Sequence, residues 1–191
     1  IISGNVGSGI EIDNFSNGEA DFNTVIEGNY VGLTADGTTT LGGHSNGGIR
    51  MLNGANGNRV GGTASGAGNV ISGNSNAAIS ISTKNNLVQG NLIGTDPSGT
   101  IAKPNGGGIT ITTANATNNL IGGTTASARN VISGNSGGGV ALTNNTSSNF
   151  IYNNFIGVSG DGTTALGNNG NGISLITTTG NSIGNSVSTG N

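Results

Sequence analysis

Residues 69–74 read Asn-Val-Ile-Ser-Gly-Asn, and the same six residues return at positions 130–135. The shorter string Ile-Ser-Gly-Asn also stands at positions 2–5, so its three copies begin 69 and then 61 residues apart. Self-similarity at such a spacing is typical of repeat architectures, in which each unit contacts mainly its neighbours. We therefore interpret residues 1–191 as one solenoid domain with three long units, approximately 1–69, 70–130 and 131–191.

A shorter repeat lies inside each long unit. Pairs of apolar residues with period-two spacing occur six times, at Ile10/Ile12, Ile49/Met51, Ile79/Ile81, Ile109/Ile111, Val140/Leu142 and Ile173/Leu175. Period-two patterning and β-branched residues favour strands over helices. The sequence predicts an all-β parallel solenoid of about six coils of about 31 residues, with three short strands per coil.

Two coil types alternate in this pattern because their loops are inserted at different places. One type carries GGTASGAG (61–68) or GGTTASAR (122–129) before its third strand. The other carries longer loops after its third strand, and each of these contains an aspartate, at Asp36, Asp96 or Asp161. Asp and Gly are turn-forming residues, so we expect these aspartates to stabilise turns.

Asparagine recurs at two fixed places in the coil. One column precedes the third strand and comprises Asn29, Asn69, Asn91, Asn130, Asn154 and Asn191. The other precedes the second strand at Asn58, Asn86, Asn119, Asn149 and Asn181, with Thr24 as the exception. Stacked amides can donate to one neighbour and accept from the other. We predict that both columns are structural ladders rather than carbohydrate-binding rows.

Four strings, NVISGN, GNLIGTD, GGGITI and NNLIGG, resemble those of bacterial right-handed parallel β-helix repeat proteins. The resemblance covers nearly the whole chain and implies a right-handed helix. Such repeats are commonly modules of large secreted or surface proteins, which implies an extracellular or cell-surface location. That superfamily includes pectate-lyase-like enzymes, epimerases, phage tailspikes and adhesins, so the resemblance does not by itself select a function.

Composition excludes several classes of function. With 39 Gly, 3% aromatic and 7% charged residues, the chain is not an ordinary compact globule. A net charge of −3 and five scattered Lys or Arg residues argue against a nucleic-acid partner. No apolar run approaches the ~18 to 20 residues of a membrane span. The absence of cysteine rules out disulfides and thiolate metal sites.

Titratable residues form no recognisable catalytic arrangement, so we predict neither catalytic residues nor a cofactor. Glu19 and Asp21 are weak candidates for calcium ligands, although their spacing matches no known metal loop and a solvated loop is the better interpretation. We expect His44, the single histidine, to be a surface residue, and Arg50 and Arg59 to be isolated solvent-facing charges.

One outward column is apolar throughout and comprises Ile1, Tyr30, Val70, Leu92, Val131 and Phe155. Alternation points these side chains away from the core, which creates a stripe that a monomer should cover or use. Two interpretations stay open. Either Leu41, Ile101 and Leu166 fold over the stripe, or it forms a lateral contact with another rod or a larger parent protein.

The repeat is in phase at the two ends, because a fourth Ile-Ser-Gly-Asn would begin two positions past Asn191. We expect copies to stack head to tail through Ile1, Ile2, Asn5, Ile183 and Asn191, unless the piece was cut from a longer array. This predicts a noncatalytic filament subunit or surface-stalk module whose partner is itself. The alternatives are a carbohydrate-binding or polysaccharide-modifying β-helix, with a cell-surface glycan as partner, and an adhesin fragment.

Overall fold

The computed structural model describes residues 1–15 and 20–184. Within these ranges the chain is all-β, apart from a 3-10 turn at Ala126–Ala128. The strands are short, two to six residues each. They are β1 (Ile10–Asp13), β2 (Ala20–Asp21), β3 (Val25–Ile26), β4 (Tyr30–Val31), β5 (Ile49–Leu52), β6 (Ala55–Asn56), β7 (Arg59–Gly61), β8 (Val70–Ile71), β9 (Ala77–Ile81), β10 (Leu87–Gln89), β11 (Leu92–Ile93), β12 (Gly107–Thr112), β13 (Leu120–Gly122), β14 (Val131–Ile132), β15 (Val140–Thr143), β16 (Phe150–Tyr152), β17 (Phe155–Ile156), β18 (Ile173–Leu175) and β19 (Ser182–Ile183).

These strands form three long sheets in which neighbours are parallel and come from successive coils. The first sheet has the order β1-β5-β9-β12-β15-β18, the second β3-β7-β10-β13-β16-β19, and the third β4-β8-β11-β14-β17. Ile2 adds a sixth rung to the third sheet through a parallel bridge to Val31. Because each coil contributes one strand to each sheet, the predicted parallel solenoid of six coils is confirmed.

The core is a set of apolar columns that run along the axis of the solenoid. In the third sheet Ile71, Ile93 and Ile132 are paired in register, and all three are fully buried. The first and second sheets contribute equivalent columns through residues such as Ile79 and Val88. Burying one such side chain contributes roughly 1.5–3 kcal/mol, so the columns are the main source of stability in a chain without disulfides.

Loop structure distinguishes the two alternating coil types. After β4, β11 and β17 the chain forms a hairpin that is closed by an antiparallel bridge, at Leu33–Thr40, Thr95–Ala102 and Val158–Ala165. The intervening coils have no such bridge among the described residues and instead carry the inserts 61–68 and 122–129 before β8 and β14. The predicted alternation is confirmed. The segment around β2 adds a two-stranded sheet with β6 at the side of the rod.

The first three residues of the repeated Ile-Ser-Gly-Asn string have separate structural roles. Ile71 fills the core, and Ser72 donates from Oγ to the carbonyl of Thr95 at 2.7 Å while accepting from the Gly94 N–H at 3.2 Å. Gly73 has φ 76°, a left-handed conformation that favours glycine. The serine therefore fastens one coil to the base of the hairpin in the next coil, and Ser3 and Ser133 do the same.

Candidate functional site

The asparagine column before the third sheet forms a continuous ladder, called here the first ladder: Asn29, Asn69, Asn91, Asn130 and Asn154. From Asn69 onward, each Oδ1 accepts from the backbone N–H and the side-chain Nδ2 of the asparagine in the preceding coil, at 2.9–3.2 Å. The second Nδ2 hydrogen of Asn69, Asn91 and Asn130 donates to a core-strand carbonyl, as Asn91 does to Val60. The predicted ladder is confirmed for the described residues, whereas Asn191 lies outside them.

The column before the second sheet, called the second ladder, has the same geometry at Asn58, Asn86, Asn119, Asn149 and Asn181. Thr24 joins it only through its backbone N–H, which donates to Asn58 Oδ1 at 3.2 Å. The residue before each rung has positive φ, namely Asn23, Gly57, Asn85, Asn118, Ser148 and Gly180. The left-handed corner therefore belongs to the residue before the ladder and not to the ladder residue itself.

A third ladder, which the sequence interpretation missed, begins with the asparagine of the Ile-Ser-Gly-Asn string. It comprises Asn5, His44, Asn74, Asn105, Asn135 and Asn168. The rungs Asn74–Asn105, Asn105–Asn135 and Asn135–Asn168 have Nδ2–Oδ1 distances of 2.7, 2.9 and 2.9 Å. The repeated string already contained Asn74 and Asn135, but the hairpins that precede Asn105 and Asn168 concealed their equivalence.

The prediction that His44 is a surface residue is wrong. Its side chain is fully buried because it replaces an asparagine in the third ladder. Nδ1 lies 2.6 Å from Asn74 Oδ1, and Nε2 lies 3.4 Å from Asn5 Nδ2. Asn74 uses its Nδ2 to donate to Asn105, so its Oδ1 must accept from His44. A neutral imidazole with its proton on Nδ1 satisfies both contacts, since one nitrogen donates and the other accepts.

The three hairpin aspartates hold their turns together, as predicted. Hydrogen bonds from the Thr34 hydroxyl, at 2.6 Å, and from Thr38 lower the pKa of Asp36 to about 2. At Asp96, burial raises the pKa, but donors from Ser98, Ile101 and Thr100 outweigh it and the pKa is lowered. The Ser159 hydroxyl, followed by Thr163, lowers the pKa of Asp161. Hydrogen bonding to the charged form is the common cause.

The third-sheet stripe, which comprises Ile1, Tyr30, Val70, Leu92, Val131 and Phe155, is covered in part. Val70 and Val131 are only 6% exposed, whereas Ile1 is 66% exposed. The covering groups are the glycines at the hairpin tips. A methyl group added to Gly162 would lie 2.6 Å from Phe155 Cζ, one on Gly37 3.3 Å from Tyr30 Cε2, and one on Gly99 3.4 Å from Leu92 Cδ2. The Arg129 guanidinium also lies 4.1 Å from the Phe155 ring centroid.

The side chains that one of the two interpretations places over this stripe do not all cover it. Leu41 and Ile101 are 53% and 58% exposed, and Leu166 alone of the three is half-buried. Leu41 and Ile101 lie next to the antiparallel bridges that close their hairpins, whereas the glycines at the hairpin tips lie directly against the stripe. The hairpin tips therefore lie against part of the stripe, while a cleft beside Tyr30, Val70 and Leu92 stays open.

Charged side chains are paired across coils, so the prediction of isolated charges at Arg50 and Arg59 is wrong. Arg50 lies 3.0 Å from Glu11, and Arg59 lies 3.0 Å from Glu27, in each case on the neighbouring coil. Parallel register places each Arg beside the acid-bearing strand of the first coil. Both pairs are partly exposed, and such pairs contribute about 0–1 kcal/mol.

The weak calcium candidates give no cluster in the described part of the chain. Asp21 is exposed at the end of β2, and Glu19 lies outside the described residues. Across residues 1–15 and 20–184, no group of three His, Asp or Glu side chains is close enough to hold a metal ion. In the same ranges no helix is long and apolar enough to cross a membrane.

The predicted head-to-tail residues lie at the two ends of the coil stack. Ile1 and Asn5 are exposed and Ile2 is half-buried at one end, and Ile183 is 44% exposed at the other. Asn191 lies outside the described residues. The end positions thus expose apolar side chains whose equivalents inside the rod, such as Val88 and Ile121, are fully buried.

No family model matches this chain, no curated protein matches it, and no solved structure matches it. Its function is therefore inferred from the geometry of the described residues alone.

Proposed function

We propose that the chain is a noncatalytic structural β-solenoid that serves as an extracellular filament subunit or surface-stalk module. In this proposal the coils continue from Asn191 into Ile1 of the next copy, and the same continuation would join the segment to neighbouring repeats if it belongs to a longer array. The observation that carries the proposal is the pair of end faces, which present strand edges, apolar core positions and ladder groups together.

The end faces support stacking because core positions of the last described coil are uncovered, and in the first coil Ile2 and Ile10 are half-buried although Ile12 and Ile26 are buried. On the last described coil, Leu175 and Ile183 are 45% and 44% exposed, whereas Ile81 and Ile121, in the same columns, are fully buried. Strands β18 and β19 pair on one side only among the described strands, as do β1 and β3 at the opposite end. Strand edges of this kind template the addition of further strands. An added coil would bury the exposed residues and pair those edges.

The ladders support a single polarity of stacking. In all three ladders Oδ1 accepts from the preceding coil and Nδ2 donates to the following one. The position before Ile1 would donate to Asn29 Oδ1, and in the proposed stack Asn191 of the adjacent copy occupies it. Head-to-head contact would bring acceptors against acceptors, so head-to-tail contact is the arrangement that continues the hydrogen bonding.

The polar residues of the described segments are used in ways that favour a structural role. Buried asparagines form the ladders, buried serines fasten the hairpins, and the hairpin aspartates accept hydrogen bonds within their own turns. A catalytic acid or base needs a positioned group that is available to a substrate. We therefore assign the buried polar groups to the frame of the rod.

Electron microscopy of the purified chain tests the proposal. We expect ordered fibres with a subunit rise of about 29 Å, which is six coils at ~4.8 Å each. Ile183→Lys should abolish fibres, because it places a charge on the end face of the core. Ile176→Lys is the matched control, since Ile176 is 57% exposed in the same coil at an outward position. Stable wild-type monomers at high concentration would contradict the proposal.

A second candidate, binding of an uncharged glycan, is favoured by one cleft of about 540 Å³ beside the third sheet. Tyr30, Leu92 and Pro97 provide apolar walls, and Thr63 and Ser127 lie on the rim. This volume is within the ~300–1,000 Å³ of small-molecule sites. Calorimetric titration with neutral oligosaccharides should show binding that Tyr30→Ala removes and Tyr152→Ala retains, and heat changes equal in both variants would exclude this site.

A further inference from the structure

An apolar column lies on the outer face of the second sheet, and the hairpins do not lie over it. It comprises Leu87, Leu120 and Phe150, which the strand register places directly above one another. We call it the second-sheet stripe. All three side chains are half-buried. Tyr152 widens the stripe, with its ring centroid 5.7 Å from that of Phe150.

The second and third sheets differ in what covers their outer apolar residues. On the third sheet, the glycine tips of the hairpins lie against Tyr30, Leu92 and Phe155. The insert 61–68 also turns toward the third sheet, since Thr63 and Ser65 line a cleft with Val70. The hairpin tips and the insert 61–68 therefore lie on the third sheet, whereas Leu87, Leu120 and Phe150 on the second sheet are half-buried.

We propose that the second-sheet stripe is the lateral contact between rods, and that its occupant is the same stripe on a second copy of this chain. This inference rests on the proposed stacking into filaments. It gives the second-sheet stripe the role that one of the two interpretations of the sequence gave to the third-sheet stripe.

The charge pattern fits a contact between identical faces. Gln89 flanks the stripe and is neutral, and the column continues to the neutral Ser182 at one end and, at the other, to Arg59, which is paired with Glu27. Two copies of this face can meet without like-charge repulsion. The outer face of the first sheet, by contrast, carries Glu11 and Asp13 on the same strand. A two-fold axis through Leu120 would place Leu87 of one rod opposite Phe150 of its partner.

The size of the face explains why filaments are needed. Six strands about 4.8 Å apart and about three residues wide give a face on the order of 300 Å². Stable interfaces bury about 800 Å² per partner, so two single rods should not form a stable pair. A stacked filament repeats the stripe every six coils, and the weak contacts then act together. Lateral association should therefore appear only after stacking.

Comparison of filament bundling in two variants tests the contact. Wild-type filaments should bundle side by side, as measured by turbidity and by fibre width in negative stain. Leu120→Ser should leave filaments of unchanged length but unbundled, and serine is acceptable there because Ser182 occupies the same column. Leu41→Ser is the control, since Leu41 is 53% exposed outside the stripe. Unbundled wild-type filaments, or equal bundling of Leu120→Ser, would overturn the proposal.

An array of copies joined covalently end to end tests the lateral contact independently of the stacking proposal. Three copies joined in frame from Asn191 to Ile1 present the stripe three times even if single copies never polymerise. In sedimentation velocity, at concentrations below those at which the single chain forms fibres, the wild-type array should self-associate, while a single copy and the Leu120→Ser array should stay monomeric. Lack of fibres from the single chain would then refute only the stacking proposal, whereas a monomeric wild-type array would refute the lateral contact.

The position of the contact can be measured because the chain contains no cysteine. Packed sheets are about 10 Å apart, so a bismaleimide of similar reach should join two copies of Leu120→Cys across the two-fold axis. Ile101→Cys, on an exposed hairpin, is the control. Crosslinking that is faster at Leu120 supports the contact, and equal rates would contradict it.

Discussion

The N-terminal and central coils use the same positions but fill them differently. In the centre, Asn91 and Asn119 are fully buried and their amides form hydrogen bonds on both sides. Near the N-terminal end, Asn29 is half-buried, Thr24 replaces one asparagine and His44 replaces another. The comparison teaches that a buried rung accepts a substitute that keeps both a donor and an acceptor, as His44 does, whereas the half-buried rung at Thr24 accepts one that contributes only its backbone N–H.

The largest expected effect comes from removing a central rung of the first ladder. Asn91→Ala would leave the Asn69 N–H and Nδ2 and the Val60 carbonyl without their partner. Stranded buried groups cost about 1–3 kcal/mol each, so we expect a loss of about 3 kcal/mol or more. Asn29→Ala should cost about 1 kcal/mol, because water reaches that rung. Urea denaturation followed by circular dichroism measures both, and equal losses would contradict the comparison.

Replacing the histidine tests whether the N-terminal rung is a true ladder position. His44→Asn should retain stability to within about 0.5 kcal/mol, because it restores the donor and acceptor of the other rungs. His44→Leu should cost about 2 kcal/mol, since it removes the partner of the buried Asn74 Oδ1. Thermal unfolding of the two variants gives the comparison. If Asn were as destabilising as Leu at this position, His44 would not act as a ladder residue.

Acidic pH should destabilise the chain through all three hairpins. The pKa of Asp36, Asp96 and Asp161 is lower in the folded chain than the ordinary value of 3.8. Their stabilisation is therefore present above about pH 4 and is lost as the pH falls through the folded pKa, about 2 for Asp36. The melting temperature should fall between these pH values, and less steeply in Asp36→Asn. An unchanged slope in that variant would exclude Asp36 as a contributor.

The smallest expected effect concerns the left-handed corner before the second ladder. Ser148 has φ 56°, and the equivalent positions hold only Asn or Gly. Because Asn tolerates this conformation better than Ser, Ser148→Asn should stabilise the chain by about 0.5 kcal/mol. Asn118→Ser, one coil earlier, should destabilise it by a similar amount. Differential scanning calorimetry can resolve both shifts, and a destabilising Ser148→Asn would contradict the argument.

The sequence predicted the positions whose spacing does not depend on loop length. The inward residues, such as Ile79 and Ile109, and the first two ladders stand at fixed distances from their strands, so their columns could be aligned by inspection. The third ladder follows the third strand after three residues in one coil type, as at Asn74, and after a whole hairpin in the other, as at Asn105. Asn105 and His44 therefore did not align with Asn74 in the sequence, although all three occupy one column in the fold.

By itself, the sequence determined a six-coil parallel solenoid with asparagine ladders, because period-two apolar pairs and recurring asparagines can be buried and satisfied only by stacking. The tertiary structure alone decided which of the two outward stripes the hairpin tips lie against. Alternation places Leu92 and Leu120 equally far from the core, yet the tip of one hairpin, at Gly99, lies against Leu92. The path of a loop depends on contacts between coils, as between Gly160 and the Gly99 carbonyl at 2.8 Å, and such contacts are not encoded in the spacing of any single repeat.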